Sequence, residues 1–435
     1  MRGGLGTTRA PRAGPATSRT PELVPGFVQW TFYLFVFSIP FEYPDRSIPV
    51  EITTLTGALF LLAAVLRPAR CFRWPPSALW LFLIYVYVYW VAVAAGGGLY
   101  TGDAAKSFVT LFQMILIFWA AANILQDVRV ANRALMILAV ACVILAAMTL
   151  LGIMTKAGMD ADTDTVRVTV LGQNANRAAR ILLSGLLVLV GLTYGRDRPL
   201  IRPRFLIWPL VALIAVALIK GGSRGGLLAL AVGLGTFVIA GPSVRTKVRN
   251  AVVALVAIAT LLAVVIRSPL IQRRFTMAGE GNFAKREYIF PNAVRMFLER
   301  PLLGWGNENQ YELVRRLPRE WRTSRDMHNL VLHVLTTTGL LGGVPFLGGL
   351  LLAVRAAWKG RRGPMGVLPL ALLIALLAGN MSGNYIVLKL QWVALALAFA
   401  SGAMLVVPSL RPATPSHPRL LRVPSPRRGP AERPA

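Results

Sequence analysis

The sequence predicts an all-α polytopic membrane protein, and three observations support this fold class. Hydrophobic residues make up 55% of the 435 residues, and the mean hydropathy of +0.58 is too high for an ordinary soluble domain of this size. About twelve windows are apolar enough to form membrane-spanning helices of roughly twenty residues each. Only one long polar segment, residues 268–327, separates two windows. We therefore expect one helical membrane domain over 23–410 with a single large loop that contains short helices.

The predicted spans follow one another with short connections. They lie at 24–41, 50–66, 76–96, 105–125, 132–154, 175–194, 204–220, 222–240, 250–267, 329–354, 365–383 and 386–407. Lys and Arg concentrate in alternate connections, such as 67–73, 129–133 and 355–362, whereas 42–49 holds few. Because cytoplasmic loops carry the excess of Lys and Arg, both termini are predicted to be cytoplasmic and 268–327 to lie outside.

The two ends of the chain, residues 1–22 and 411–435, are rich in Pro, Arg, Gly and Ser, which predicts disordered basic tails in the cytoplasm. The first span is expected to act as a signal anchor, because no small-residue cleavage site follows it. Much of the net charge of +29 lies in the tails and the basic loops. Membrane lipids with anionic headgroups are the expected partners of this charge, so no nucleic acid is needed to explain it.

No cofactor or metal is predicted. Cys71 falls in a cytoplasmic loop and Cys142 inside a span, so a disulfide between them is not expected. The run Asp160–Asp164 resembles the start of a calcium loop, but Thr165 and Leu171 stand where such a loop needs glycine and glutamate. A solvated acidic turn is the better interpretation of this run.

Histidine supplies one candidate for proton transfer. Of the three histidines, His417 lies in the basic tail, whereas His328 and His333 flank the start of a span. Five helical positions separate these two by about 140° of rotation, so a shared metal site is not expected. His328 follows the arginine-rich loop at the membrane surface, where an imidazole with an ordinary pKa of about 6.5 suits a proton acceptor. The alternative is a helix-start residue without chemistry, and His333 is expected to pack inside the bundle or bind a neighbouring helix.

The glycine-rich turn Lys220–Gly226 lies between two predicted spans on the outer side. Its glycines let a ligand approach the backbone, and the planar guanidinium of Arg224 can bind a phosphate through two hydrogen bonds. We therefore predict that Arg224 binds an anion. Lys220 is expected to extend to the membrane surface without binding a ligand.

A second polar group opens the sixth predicted span, where Asn174 and Asn176 stand at the start and Arg167 precedes them. One of the two amides is expected to cap the helix, and the other remains open for sugar hydroxyls. Together with Arg325 at the end of the long loop, Arg167 and Asn176 are candidate substrate-binding residues.

This combination of arginines, amides and one base, without an obvious nucleophile pair, suits the transfer of a group from an activated, anionic leaving group. Arginines can stabilise a departing diphosphate while a base takes the proton from an incoming hydroxyl. Such a transfer does not require a metal.

Three ordered motifs stand out in the second half of the chain. They are Ser223-Arg224-Gly225-Gly226-Leu227-Leu228, then Pro301-Leu302-Leu303-Gly304-Trp305-Gly306, then His328-Asn329 followed by Thr338-Gly339-Leu340-Leu341-Gly342. In this order they resemble the O-antigen ligase and polymerase superfamily. The resemblance implies a metal-independent glycosyltransferase with a GT-C-like fold in the bacterial inner (cytoplasmic) membrane. It also implies an undecaprenyl-diphosphate-linked glycan donor, a reaction on the periplasmic side, and inversion at the anomeric carbon.

The same resemblance assigns roles to individual residues. It implies that His328 is the general base and that Arg224 binds the diphosphate, with Arg286 as a further candidate. The loop holds more arginines than this chemistry requires, namely Arg315, Arg316, Arg319, Arg322 and Arg325. They are interpreted either as ligands of phosphorylated core sugars or as a solvated basic face.

A single large loop and a short C-terminal tail favour a ligase, which joins the glycan to lipid A-core, within this superfamily. A polymerase or a protein-glycosylating enzyme is the alternative within the superfamily. The alternative from another class is a carrier or flippase of the lipid-linked glycan, for which related halves and broken helices or paired charges near mid-membrane are expected. No symmetry between halves is apparent in the sequence.

Overall fold

The structure, a computed structural model, describes residues 24–42, 51–96, 102–160, 165–194, 200, 204–279, 285–319, 327–384 and 386–405. These residues form sixteen α-helices and one two-stranded sheet. The helices are α1 (Gly26–Ser38), α2 (Ile52–Val65), α3 (Pro68–Cys71), α4 (Ala78–Ala95), α5 (Gly102–Ile124), α6 (Val128–Leu151), α7 (Ala175–Tyr194), α8 (Ile207–Lys220), α9 (Arg224–Ile239), α10 (Val244–Val265), α11 (Pro269–Gly279), α12 (Arg286–Glu299), α13 (Asn309–Arg316), α14 (Leu330–Gly360), α15 (Leu368–Gly379) and α16 (Lys389–Ala403). The strands are β1 (Thr155–Asp160) and β2 (Thr165–Val170).

The apolar windows are confirmed as helical, since each of the twelve overlaps an α-helix. Within the described residues, six helices are long and apolar enough to cross a membrane: α4, α5, α6, α7, α10 and α14. The other windows hold shorter helices, such as α15 with 12 residues and α16 with 15. The chain is therefore a multi-pass helical membrane protein, and the number of twelve spans stays a prediction.

The described residues are mostly helical, as expected of an all-α fold, and they also contain one short two-stranded sheet. Strands β1 and β2 pair antiparallel, with Thr155 opposite Val170 and Asp160 opposite Thr165. Residues 161–164 of the predicted acidic turn lie outside the described residues. Three valines alternate with polar residues along β2, a pattern that favours a strand beside the surface of the bundle.

Helix α14, which corresponds to the predicted span at 329–354, is broken at Gly339. This glycine adopts φ 59° and ψ −156°, a combination that only glycine reaches without strain. The backbone N–H groups after the break donate to a loop before the helix: Leu340 to Pro301 O at 2.7 Å and Leu341 to Leu302 O at 3.1 Å. The break therefore leaves these two donors satisfied.

The contact between this loop and α14 explains why two of the sequence motifs occur together. Trp305 N donates to Thr336 O at 2.8 Å, so hydrogen bonds run in both directions between the segments. A Cβ on Gly339 would collide with the backbone of Leu302 and Leu303. The motif Pro301–Gly306 is thus docked on the break in α14, which carries His328 at its start.

An aromatic core fixes the second half of α14 to the bundle. The ring of Phe82 lies 5.6 Å from those of Phe118 and Phe346 and 5.2 Å from that of Trp392. These side chains are buried and come from α4, α5, α14 and α16. Such aromatic pairs each contribute about 0.5–1.5 kcal/mol beyond the burial of their area.

One end of the bundle collects the starts of α2, α7, α9 and α16 and the end of α15. Side chains join these segments: Lys389 binds Glu51, Asn176 accepts from Ser223, and Arg180 donates to Gly379 O. We call this end of the bundle the site end, because most of the described candidate residues lie there. At the opposite end, the backbone N–H of Trp74 donates to Asn123 Oδ1 at 3.1 Å. Loops predicted to face outside and inside are thus sorted to different ends, and the side of the membrane that each end faces stays a prediction.

Candidate functional site

The glycine-rich turn between α8 and α9 forms one wall of the site. Ser223 caps α9, because its Oγ accepts from Gly226 N at 3.1 Å. The same hydroxyl donates to Asn176 Oδ1 at 2.8 Å, which joins the start of α9 to the start of α7. Lys220 donates from Nζ to Thr149 O at 3.3 Å, near the end of α6, and so supports the helix ends.

The two asparagines before α7 have different tasks. Asn174 Oδ1 accepts from Asn176 N at 2.8 Å and thereby caps α7, as expected of one of the pair. The Asn176 side chain accepts instead from Ser223 and, at 3.3 Å, from Arg167 Nη2. Arg167 also donates from Nε to Gly221 O at 3.2 Å. The candidates Arg167 and Asn176 are therefore in direct contact, next to the turn that holds Arg224.

Arg180 is a further residue of the site, and sequence reasoning missed it. It is 1% exposed, and its Nη1 donates to Asn176 O at 3.0 Å while its Nη2 donates to Gly379 O and, at 3.4 Å, to Ser382 Oγ. Because Arg180 lies within a predicted span, it was counted as part of an apolar window. Its presence there was a signal, since charged groups inside spans usually face a partner or a cavity.

Arg286 reaches the same place from the long loop. It opens α12 and donates from Nη2 to Ser382 O at 3.1 Å. Ser382 thus receives hydrogen bonds from Arg180 and Arg286, one on its hydroxyl and one on its carbonyl. A Cβ on Gly225 would collide with the Ser382 side chain, so α9 closely approaches this segment only because glycine follows Arg224.

The electrostatics of this arrangement favour an anion. Arg224 is the first residue of α9 and half-buried, and it directly follows Ser223. The N-termini of α7 and α9 meet through the bond between Ser223 and Asn176, so the positive ends of two helix dipoles adjoin four arginines. Four of the sequence candidates, Arg167, Asn176, Arg224 and Arg286, thus lie in or beside one network.

His328 lies at the start of α14 in a left-handed backbone conformation, with φ 49°. The next residue, Asn329, caps the helix by accepting from Val331 N at 2.9 Å and Leu332 N at 3.1 Å. A positive φ is uncommon for residues other than glycine, although histidine adopts it more often than most. The imidazole is half-buried, which suits a group that must meet a substrate.

A small hydrophobic core relates His328 to Arg286. Met327, directly before His328, is fully buried in a cluster that also contains Ile289, one turn after Arg286 on α12. Helices α12 and α14 pack against each other. The same core therefore supports the candidate base and one candidate diphosphate ligand.

His333 has another environment, as its position five residues after His328 predicts. Its Nδ1 lies 3.5 Å from Asn309 Nδ2, and its backbone oxygen accepts from Thr337 Oγ1 at 2.6 Å. Asn309 is 2% exposed and opens α13. His333 thus belongs to the contact between α13 and α14.

Part of the arginine excess in the long loop has a structural role. Arg316 binds the carboxylate of Glu299 through two hydrogen bonds of 2.7 Å and that of Glu312 at 2.8 Å. These contacts hold the pKa of the Glu299 carboxyl below its ordinary value. The guanidinium of Arg300 lies 3.9 Å from the centre of the Trp305 ring. Arg316 is thus engaged within the protein, while the candidate Arg325 lies outside the described residues.

The cysteines form no disulfide: Cys71 and Cys142 are both free and buried. Burial raises the pKa of the Cys71 thiol to about 11, so this thiol is protonated at neutral pH. Among the described residues, no three His, Cys, Asp or Glu side chains are grouped as a metal site would require. Metal independence nevertheless stays a prediction.

Comparison with known proteins shows what part of this chain is similar to. Residues 209–347 match the family model described as O-antigen ligase. The chain is also similar to an O-antigen ligase of Pseudomonas aeruginosa, with 29% identity over 308 residues, which cover 69% of this chain and 71% of that protein. The predicted resemblance to the O-antigen ligase family is confirmed. The matched O-antigen ligase segment contains Arg224, Arg286 and His328.

The segment that matches the family model begins within α8 and ends within α14. It therefore includes all three motifs named from the sequence. Arg167 and Asn176 precede the segment in the chain, and hydrogen bonds connect them to it at Gly221 and Ser223. Arg180 also precedes the segment and binds Ser382, which follows it and also accepts from Arg286 of the segment.

Proposed function

We propose that the protein is an O-antigen ligase that transfers a glycan from undecaprenyl diphosphate to lipid A-core at the periplasmic face of the inner membrane. One observation supports this proposal above all: the site end gathers Arg167, Arg180 and Arg286 around Asn176 and Ser382, in a chain matched by the O-antigen ligase family. Arginines that converge at a membrane end fit a diphosphate whose lipid part remains in the bilayer.

The proposed reaction is a single displacement. A hydroxyl oxygen of the acceptor attacks the anomeric carbon on the face opposite the diphosphate, and the bond from this carbon to the diphosphate oxygen breaks. The electron pair of that bond leaves with the diphosphate, and the hydroxyl proton passes to a ring nitrogen of His328. Inversion of the anomeric carbon follows from attack on the opposite face.

The arginines stabilise the charge that develops on the leaving group. Arg224 and Arg286 bind the diphosphate oxygens, and the adjoining N-termini of α7 and α9 add favourable dipoles. Because the leaving group is already activated, this stabilisation replaces the role that a metal ion has in many phosphate-releasing enzymes. The protein's own residues thus account for each part of the reaction.

The break in α14 bears on the alternative of a carrier. Transporters use broken helices to line a substrate cavity near the middle of the membrane. In this protein the N–H groups after Gly339 are occupied by carbonyls of Pro301 and Leu302. The backbone donors at the break thus bind the protein itself and not a substrate, which favours a structural role for the break. This argues for an enzyme over a carrier.

A reconstituted assay tests the proposed function. The purified protein is incubated with an undecaprenyl-diphosphate-linked glycan and lipid A-core, with and without EDTA, and the products are separated and identified by mass spectrometry. We expect a joined glycolipid and free undecaprenyl diphosphate, unchanged by EDTA. Elongated lipid-linked glycan formed without lipid A-core would identify a polymerase instead, and unchanged reactants would contradict a transferase.

The His328→Ala variant tests the proposed base in the same assay. A positioned base contributes about a hundred- to ten-thousandfold in rate, so transfer should fall by that factor while donor binding persists. His333→Ala is the matched control, because it removes an imidazole from the same helix at the contact with Asn309. Near wild-type turnover in His328→Ala, together with an inactive but folded His333→Ala, would reverse the two assignments.

A further inference from the structure

A buried group of charged side chains lies beside the arginine network but contains none of its members. Glu42 is fully buried, and its carboxylate is shared between Arg177 and, at 2.7 Å, Lys389 Nζ. Thr53 Oγ1 donates to the same carboxylate at 2.9 Å. Lys389 also binds Glu51 at 2.8 Å. Two carboxylates and two cations thus balance each other around the buried carboxylate of Glu42.

This group connects segments that are far apart in the sequence. Glu42 follows α1, Glu51 precedes α2, and Lys389 is the first residue of α16. Gln173, directly before the cap of α7, adds a hydrogen bond from Nε2 to Glu42 O at 2.6 Å. Glu42 is therefore one point at which the start of α7 is attached to the rest of the bundle.

The position of Arg177 relates this attachment to the proposed site. Arg177 lies in the first turn of α7, directly after Asn176 and three residues before Arg180. Asn176 receives hydrogen bonds from Arg167 and Ser223, and Arg180 donates to the segment that also binds Arg286. A shift of this turn would move both residues, because they share its backbone.

We propose that the ion pair between Glu42 and Arg177 positions the first turn of α7, and through Asn176 and Arg180 the arginines that bind the lipid-linked diphosphate donor. Arg177 is thus a positioning residue and makes no contact with the reacting atoms. This inference rests on the proposed function, and it adds Glu42 and Arg177 to the residues on which donor affinity depends.

Two matched variants test the proposal. Arg177→Met and Lys389→Met each remove one cation from the same carboxylate, but only the first removes a contact of α7. We expect Arg177→Met to raise the KM for the donor about tenfold, the equivalent of one charge-assisted hydrogen bond, with little change in kcat. Lys389→Met should keep the donor KM of the wild type. The KM for lipid A-core should be unchanged in both variants.

The outcomes separate this inference from the proposed function. A wild-type protein without transfer activity contradicts the function itself, irrespective of the variants. If the wild type is active, an equal rise of the donor KM in both variants, or no rise in Arg177→Met, contradicts the positioning role. Melting temperatures in detergent measure the general loss of stability, which should be similar for the two.

Charge-preserving variants decide the question if a Met variant does not fold. Arg177→Lys keeps the charge but loses the planar fork, whereas Lys389→Arg keeps the charge and adds donors. A donor KM that rises only in Arg177→Lys supports the proposal. Equal donor KM values in the two variants and the wild type contradict it.

Discussion

At the scale of single residues, the arrangement at the site end depends on hydrogen bonds between side chains that are far apart in the sequence. The arginine in the glycine-rich turn and the amides before α7 were named from composition and position. The sequence could not decide between Asn174 and Asn176, because the choice depends on Ser223, 47 residues after Asn176. Arg180 was missed because its partners Gly379 and Ser382 lie about 200 residues away.

Gly225 offers a test of the close approach between α9 and the Ser382 segment. An added Cβ would collide with the Ser382 side chain, which is held by Arg180. We expect Gly225→Ala to reduce transfer about ten- to hundredfold, since a small displacement of binding groups is enough for such a loss. The measurement is kcat/KM for the donor in the reconstituted assay.

Gly235→Ala is the matched control for this substitution. Gly235 lies on the same helix, and nothing is within 4 Å of the position that its Cβ would take. Its replacement should leave transfer unchanged, because alanine has a higher helix propensity than glycine and finds open space here. An active Gly225→Ala would show that the segment around Ser382 can shift without affecting the reaction.

At the scale of secondary structure, apolar windows predicted the helices well. Each window is longer and more continuously apolar than the stripe that a surface helix requires. They do not indicate β1 and β2, which lie on either side of residues 161–164. They also do not indicate the break at Gly339, because the window at 329–354 is apolar on both sides of this glycine. The break is visible only together with the loop Pro301–Gly306, because that loop supplies the missing carbonyls.

The break in α14 makes a specific prediction about stability. Gly339→Ala should lower the free energy of unfolding by about 1–3 kcal/mol, because alanine is strained in this backbone conformation, and contact with Leu302 adds to the loss. Gly348→Ala on the same helix is the control, since its Cβ would meet only a side-chain atom of Leu81 at 3.4 Å. Thermal unfolding in detergent should separate the two variants. Equal melting temperatures would show that the break is not required.

At the scale of the whole molecule, the distribution of Lys and Arg predicts which loops share a side but not which helices are neighbours. In the structure Glu42 contacts Lys389, and Arg180 contacts Ser382. Both contacts join residues about 200 or more positions apart in the chain. No periodicity encodes such pairs. The sorting of loops to two ends agrees with the predicted alternation, and the orientation in the membrane can be measured directly.

Cysteine labelling in intact cells tests this orientation. Arg315→Cys places a thiol on α13, where the native side chain is 77% exposed, and Arg362→Cys places one at the exposed turn after α14. A membrane-impermeant maleimide should label Arg315→Cys from outside and Arg362→Cys only after permeabilisation. The native cysteines give little background, because both are buried and the pKa of about 11 leaves the Cys71 thiol almost entirely protonated. Labelling of Arg362→Cys in intact cells, with Arg315→Cys protected, would place the arginine network on the cytoplasmic side. The proposed periplasmic transfer would then be wrong, since the donor diphosphate and its arginine ligands must lie at the same face of the membrane.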